Sequence, residues 1–323
     1  METIFFDVIS YIIICIIIFI FVCKLYMTYV TKMCRCETKL TGKIAIVTGA
    51  NTGIGFQTAR NLAKRHAKVI LACRDKTKGT RAVNMIRRET RNSYVYFKQL
   101  DLESFTSVTR FAQEILDSLP FVHILINNAG TGMLDHSLTE DNLPIEVQVN
   151  HYSPFLLTLL LLPLLQKEPN SRIINVSSVM HKIGRVDPEN FHKQRKTFLD
   201  RRRVYADTKL ANMLFTLKLS ELLKGTYVTV NCLHPGGVYT DFFRHQPFIV
   251  KFILRFCMKT AWEGAQTVIH LAVAPELAHT SGKYFVECKK ASPAKRALDK
   301  SVAHRLWLNS EKIVEPYLPA DNY

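Results

Sequence analysis

Acidic residues are scarce. The 323-residue chain carries 27 Asp and Glu against 43 Lys and Arg, a formal net charge of +16. Apolar residues still make up 48% of it, which excludes a disordered chain or a purely basic tail. The eight Cys include no CxxC pair and no His-rich spacing, so no structural metal is expected. Cys73, Cys232, Cys257 and Cys288 are scattered, as free thiols are in a reducing cytosol. No internal repeat and no low-complexity linker divides the chain. Its 323 residues suggest two domains at about 150 residues each, but the first 40 do not read as globular.

Ile4 to Phe21 reads IFFDVISYIIICIIIFIF, broken only by Asp7 and Ser10, and Val22 and Cys23 extend it. Twenty helical residues cover about 30 Å, the thickness of a bilayer core. No positive charge precedes the run and no small-residue cleavage site closes it, so it reads as an uncleaved anchor. The alternative is a buried N-terminal helix. Glu2 and Asp7 precede or enter the run, whereas Lys24, Lys32, Arg35 and Lys39 follow it. That asymmetry puts the N-terminus outside and the rest of the chain in the cytosol. Cys34 and Cys36 would sit beside the membrane, either palmitoylated or as ordinary thiols. The expected organisation is an anchor and juxtamembrane linker over 1–40 (span about 4–23) and one domain over 41–323.

Within that domain KIAIVT (43–48), AKVILAC (67–73), YVYFKQL (94–100), VHILIN (122–127), RIINVS (172–177), TYVTVNCL (226–233) and YFVE (284–287) read as strands. Several are apolar on consecutive positions, as in a parallel sheet covered on both faces. Segments 54–65, 104–118, 140–166 and 205–224 have helical spacing. Strand and helix in alternation predict an α/β fold, a single doubly wound parallel-sheet Rossmann domain behind a transmembrane helix. LLTLLLLPLL (156–165) is too short for a span and reads as a buried or subunit-facing helix. Residues 245–258 put Phe248, Ile249, Phe252, Ile253 and Phe256 at helical spacing with Lys251 and Arg255 between them. They suit core, or an apolar lid that touches the membrane.

The first strand runs into Thr48-Gly49-Ala50-Asn51-Thr52-Gly53-Ile54-Gly55. Glycines between a first strand and a first helix let the backbone approach a pyrophosphate seated on the helix N-terminus. The second strand ends Cys73-Arg74-Asp75. Arg at that point accommodates a ribose 2′-phosphate, and residues 60–98 hold twelve Lys and Arg against Asp75 and Glu89. NADP(H) is therefore favoured over NAD(H), with Asp75 the residue that a one-position shift would turn toward a 2′-hydroxyl. Asp101 and Leu102 close the third strand, and Asn128, Ala129 and Gly130 the fourth. Asp101 could take the adenine amino group and Asn128 could tie neighbouring strands; turn formation is the other reading of both.

Tyr205 and Lys209 stand four apart, on one face of a helix. The cation is expected to lower the phenol's pKa, making a proton donor or acceptor for a carbinol oxygen. Tyr94 and Lys98 share the spacing but fall in a strand pattern, about 13 Å apart. Only Tyr205 also has Ser177 and Ser178 at the end of a preceding strand.

In this order TGANTGIG, NNAG, Asn150, VSS, YADTK and HPGG resemble the short-chain dehydrogenase/reductase family, from about residue 41 to at least 290. KIAIVTGANTGIG, ILACRD, VNH, FLLT, NVSS, TKLANMLFT and KT-x3-GAQT resemble its retinol dehydrogenase subgroup with N-terminal membrane anchors. The resemblance implies that Tyr205 is the general acid in reduction and that Lys209 lowers its pKa and binds the nicotinamide ribose. It gives Ser178, rather than Ser177, the carbonyl to orient, and Asn150 a water in the proton relay. Gly49, Asn51, Thr52, Gly53, Ile54 and Gly55 would hold the phosphates, and Pro235, Gly236 and Thr240 would border the nicotinamide. TGM after NNAG, Gly237 and the SPF after VNHY depart from the common pattern on the substrate side.

The implied activity is hydride transfer between NADP(H) and a lipophilic aldehyde or alcohol, retinal and retinol foremost. The rivals are the same mechanism on a steroid or lipid-derived carbonyl, and a non-catalytic nucleotide-binding membrane protein. The implied location is the endoplasmic reticulum membrane, single-pass, with the domain cytosolic. Membrane lipid is an expected partner and nucleic acid is not: Arg201-Arg202-Arg203 lacks interleaved aromatics and reads as a solvated helix start. The Asn175-Val176-Ser177 sequon falls in a predicted buried strand, and helices 140–166 and 203–224 are candidate faces for a homo-oligomer.

Overall fold

The computed structural model describes residues 2–132, 137–193, 198–241 and 247–319. A 29-residue helix, α1 (Glu2–Val30), comes first. Then follow β1 (Ile44–Thr48), α2 (Gly53–Lys64), β2 (Lys68–Cys73), α3 (Lys76–Thr90), β3 (Val95–Gln99), α4 (Phe105–Ser118) and β4 (Ile124–Asn127). A short turn of helix α5 (Ile145–Val147) leads through a π-helical turn (Gln148–Tyr152) into α6 (Ser153–Gln166). The chain continues as β5 (Arg172–Val176), α7 (Phe198–Leu222), β6 (Thr229–His234), α8 (Phe248–Cys257), α9 (Ala261–Val273), β7 (Tyr284–Val286), β8 (Lys289–Ala291) and α10 (Lys300–Val314).

The strands form one sheet in the order β3-β2-β1-β4-β5-β6-β7-β8. All neighbours are parallel except the β7–β8 edge. In β1, Ile44 and Ile46 enter a core shared with α4, α6, α7 and α10. Ala45 and Val47 enter the opposite core, with α2, α3 and α9. Both faces are covered, which is why the sequence is apolar without alternation there. The Rossmann-like α/β sheet expected from the sequence is the observed one.

The seven strands read from the sequence are all present. β8 (KKA) carried no apolar signal. The segment 140–166 is not one helix: Pro144 precedes α5 and the ladder widens at Gln148–Tyr152 before α6. LLTLLLLPLL lies in α6 with Leu156, Leu157, Leu160, Leu161, Leu164 and Leu165 buried as core, and the longer apolar stretch Ile145–Gln166 that contains it is likewise mostly buried. Asn175 of the sequon is buried between Asn127 and Thr216.

Residues 31–40 dock on the domain rather than hang from α1. Lys32 N–H donates to Glu287 at 3.0 Å, Cys34 N–H to Gln266 at 3.2 Å, and Leu40 N–H to the Arg65 carbonyl at 2.7 Å. Beneath them, buried Arg172 donates to the Leu271 and Ala274 carbonyls at 2.9 and 2.8 Å, closing the C-terminus of α9. Arg172→Met leaves the Leu271 carbonyl unbonded, whereas the Ala274 carbonyl keeps the Leu277 N–H at 3.2 Å; the expected loss is about 1–3 kcal/mol, read from the urea-unfolding midpoint.

Candidate active site

The loop between β1 and α2 is shaped by its glycines. Gly49 and Gly53 adopt φ of +63° and +58°, a region that costs other residues strain. Gly55 has a different reason: a Cβ there would lie 2.4 Å from the Gly49 carbonyl and 2.5 Å from Asn128 Nδ2. Helix and strand meet without room for a methyl group, and the α2 N-terminus faces the loop. Thr52, the N-cap residue, turns its hydroxyl outward to Asp241 at 3.0 Å. Thr240 approaches Gly53. Loops after β1 and β6 therefore close on each other, as the sequence motifs around Gly49 and Pro235 require.

Asn128 does tie strands: its Nδ2 donates to the Thr48 carbonyl at 2.8 Å, and its own N–H donates to Thr48 Oγ1 at 3.0 Å. The same hydroxyl accepts from Ala129 N–H at 3.0 Å. Thr48 opens the TGANTGIG motif, and the sequence alone gives its hydroxyl no role. Gly130 lies where a Cβ would sit 3.2 Å from both Asn150 Oδ1 and Lys209 Nζ, so the NNAG turn reaches the acid–base group.

At the end of β2, Arg74 is ion-paired with Glu103 and lies 3.9 Å from Asp101. Its side chain is 57% exposed. Asp75 is otherwise engaged: it caps α3, accepting from Lys78 N–H at 2.9 Å, and that bond holds its carboxyl below the usual range. Asp101 accepts from Glu103 N–H at 3.0 Å, and Leu102 is buried. Glu103 carried no motif signal; only its place two residues after Asp101 could have drawn attention to it.

Tyr205 and Lys209 lie on α7, with Ser178 just past the end of β5. The Tyr205 phenol is hydrogen-bonded with Ser178. Lys209 Nζ sits over the Tyr205 ring, 5.5 Å from its centroid, and donates to the Val176 carbonyl at 3.2 Å. Ser177 is buried and gives its hydroxyl to the Lys209 carbonyl at 2.7 Å, a structural bond. In the π-helical turn, Asn150 Oδ1 accepts from Thr131 N–H at 2.8 Å while Nδ2 donates to the Thr131 carbonyl and to Thr208 Oγ1. Its amide thus brackets the loop after β4 against α7. In the TGM departure Met133 lies outside the described residues.

One electrostatic expectation fails. The Tyr205 phenol is not depressed; burial pushes it up to about 12, the Ser178 bond opposes this and the field of Glu146 adds to it. Lys209, buried itself, drops to about 8. Its ammonium is directed at main chain and ring rather than at the phenol oxygen, so desolvation dominates both groups. Buried Glu146, on α5, acts on both and was not singled out in the sequence.

The family model for short chain dehydrogenases matches residues 43–192. Retinol dehydrogenase 12 of Bos taurus is 43% identical over 279 residues, 85% of this chain and 87% of that one. Retinol dehydrogenase 13 of Homo sapiens is 43% identical over 295 residues, 88% and 89% of the two chains. The chain belongs to the short-chain dehydrogenase/reductase family. Within it, identities of 41–43% over most of the chain place it in the retinol dehydrogenase subgroup. Among solved structures, a protein from Mycobacterium paratuberculosis superposes with a TM-score of 0.69 at 29% identity, over 86% of this chain and 95% of that one. A short chain dehydrogenase from Escherichia coli CFT073 complexed with NADPH does so at 0.62 and 25%, over 78% and 99%.

As a member of this family the chain is an oxidoreductase that takes a nicotinamide cofactor, and the glycine cradle fits such a group. In Gly55→Ala the new methyl overlaps the Gly49 carbonyl. The expected cost is about 1–3 kcal/mol of stability, with at least tenfold weaker nicotinamide-nucleotide binding by calorimetric titration.

Proposed function

We propose that this chain is a membrane-anchored, NADP(H)-dependent oxidoreductase that transfers hydride between the cofactor and a lipophilic aldehyde or alcohol, with retinal and retinol as the leading pair. The observation that carries the reaction type is the Ser178–Tyr205 hydrogen bond at the carboxyl end of the sheet, with Lys209 and Gly130 beside it. Substrates in open α/β sheets collect at that end. The names of the relatives supply the retinoid.

The bound nicotinamide supplies or accepts the hydride. Tyr205 Oη gives its proton to the carbonyl oxygen in reduction and takes it back in oxidation. Ser178 Oγ donates to the same oxygen and fixes its orientation. Lys209 holds the nicotinamide ribose, and its positive charge favours the phenolate that forms. Asn150 positions the Thr131 loop and Thr208 on α7 around these groups, and Asn51, Ile54, Pro235 and Gly236 line the cofactor path. A phenol that stays protonated into alkaline solution suits the acid role.

For cofactor choice, Asp75 is engaged at the start of α3 and Arg74 is the exposed group at the end of β2. Glu103 competes with a 2′-phosphate for Arg74. For the membrane, α1 and α8 pack against each other and both expose apolar side chains. Phe21 is 62% exposed on α1, and Phe248 and Ile249 are 78% and 72% exposed on α8. Contiguous apolar surface of this kind marks a membrane site. His245 and Gln246, before α8, lie outside the described residues. The basic residues after the run orient a single pass with the domain in the cytosol, and the endoplasmic reticulum is the membrane that the resemblance to the retinol dehydrogenase subgroup implies.

Purified protein in detergent is given NADPH and retinal, and nicotinamide absorbance is followed; a steroid ketone in parallel separates the rival substrate. Tyr205→Phe should lower kcat by about 10²–10⁴ with the NADPH dissociation constant unchanged; intact turnover would sink the mechanism. In wild type, kcat/KM for reduction should fall as pH rises through about 8, because Lys209 acts in its protonated form and loses that proton there. Glu103→Gln should lower the KM for NADPH about two- to fivefold, the weight of one exposed ion pair, and leave that for NADH unmoved.

A further inference from the structure

The side chains of Cys34, Cys36 and His270 converge although 234 residues separate Cys36 from His270. One ligand atom from each lies within 4.8 Å of the other two. Cys36 Sγ stands 3.8 Å from His270 Nδ1. Tetrahedral zinc, with bonds of about 2.3 Å to sulfur and 2.0 Å to nitrogen, sets its ligand atoms roughly 3.5–3.8 Å apart. The three atoms therefore need to close by only about an ångström to share one ion.

The scaffold holds them in register. Gln266 and His270 lie one turn apart on α9, hence on one face. Buried Gln266 accepts the Cys34 N–H at 3.2 Å, while His270 meets the Cys36 thiol. On either side of Cys-Arg-Cys the backbone is fixed by Lys32 to Glu287 at 3.0 Å and by Thr38 to Arg65 Nη1 at 3.0 Å. Both Cys are half-buried and pack against the second core.

The surroundings are mixed in charge. Burial holds His270 below its ordinary value, which leaves the imidazole neutral with a lone pair to give. Cys36 is pushed up to about 11 by burial and by Cys34 beside it, so the metal-free pair keeps its thiol protons. Glu276 adds negative charge near Cys36 and His270, while Arg65 and Arg172 add positive charge that favours thiolate.

We propose that Cys34, Cys36 and His270 bind one zinc ion, through two thiolates and an imidazole with a solvent-facing fourth position, and that the ion clips the segment following α1 onto α9. Both thiol protons pass to solvent on binding, so affinity falls with pH. Cys288, whose thiol faces the Lys32 carbonyl at 3.6 Å, is not a ligand.

Full-length protein in detergent, reduced and stripped with a chelator, is titrated anaerobically with Co²⁺. One Co²⁺ per chain is expected, with thiolate-to-cobalt charge-transfer absorption and four-coordinate d–d bands that one equivalent of Zn²⁺ abolishes. Cys36→Ser and His270→Asn should each weaken binding by more than about a hundredfold, beyond the loss from outer-shell partners alone. Cys288→Ser should bind as wild type. Zinc should raise the Tm of wild type and of Cys288→Ser but not of the two ligand variants, and circular dichroism reports that each variant is folded. Reduced wild type without charge-transfer bands, bands that persist in both ligand variants, or an acyl chain on either Cys in protein isolated from cells would overturn the proposal.

Discussion

The joint between β1 and β4 is the constraint on which the site depends. The Thr48 hydroxyl accepts two main-chain N–H groups from the β4 turn, and the Asn128 amide returns a bond to the Thr48 carbonyl. Five polar groups with little access to water are satisfied at one point, and an unmet one would cost about 1–3 kcal/mol. Because that turn is fixed, Gly130 is held against Asn150 and Lys209. Because Gly55 has no side chain, α2 begins directly above it. Phosphate loop and acid–base group are thus two consequences of one pairing of parallel strands.

The acid–base group has the complementary problem of excess burial. Lys209 is 4% exposed, and its Nζ donates to the Val176 carbonyl. Desolvation pulls it to about 8 and pushes Tyr205 up to about 12. In the protein alone, proton transfer from this phenol is uphill near neutrality. A charge or hydroxyl brought in by the cofactor acts in this low-dielectric setting, where each interaction weighs more than in water. The pair is therefore built to respond to what binds beside it.

What could be read from the sequence was what periodicity and order encode. Runs such as VILAC and RIINV announced a two-sided sheet, and helical spacing brought Tyr205 and Lys209 to one face. Pair spacing could not give the direction of the Tyr205 shift, since it does not report burial. Glu103 and Glu146 were invisible for a similar reason: each acts on a side chain reached only after the chain folds back. The Cys34-Arg35-Cys36 pair escaped the usual metal spacings because its third member lies on α9. The unbroken helix expected over 140–166 failed at Gln148–Tyr152, where one extra residue per turn turns Asn150 toward Thr131 and Thr208.

The exposed helix α8 is intelligible once its ends are considered. Val238 and Lys259 form a parallel bridge, Tyr239 N–H donates to the Lys259 carbonyl at 2.9 Å, and Lys259 N–H returns to the Gly237 carbonyl at 2.8 Å. Gly236, at φ +94°, leaves the space that the buried Lys259 chain fills, and Lys259 in turn pairs with Glu287. The segment between is an excursion from a closed neck, so the sheet neither needs α8 nor constrains it. None of its residues is buried. The core therefore gives no reason for Phe248, Ile249, Phe252 and Phe256 to be apolar; packing against α1 accounts for part of that surface. The remainder stays exposed, on a segment whose neck closes beside Gly236.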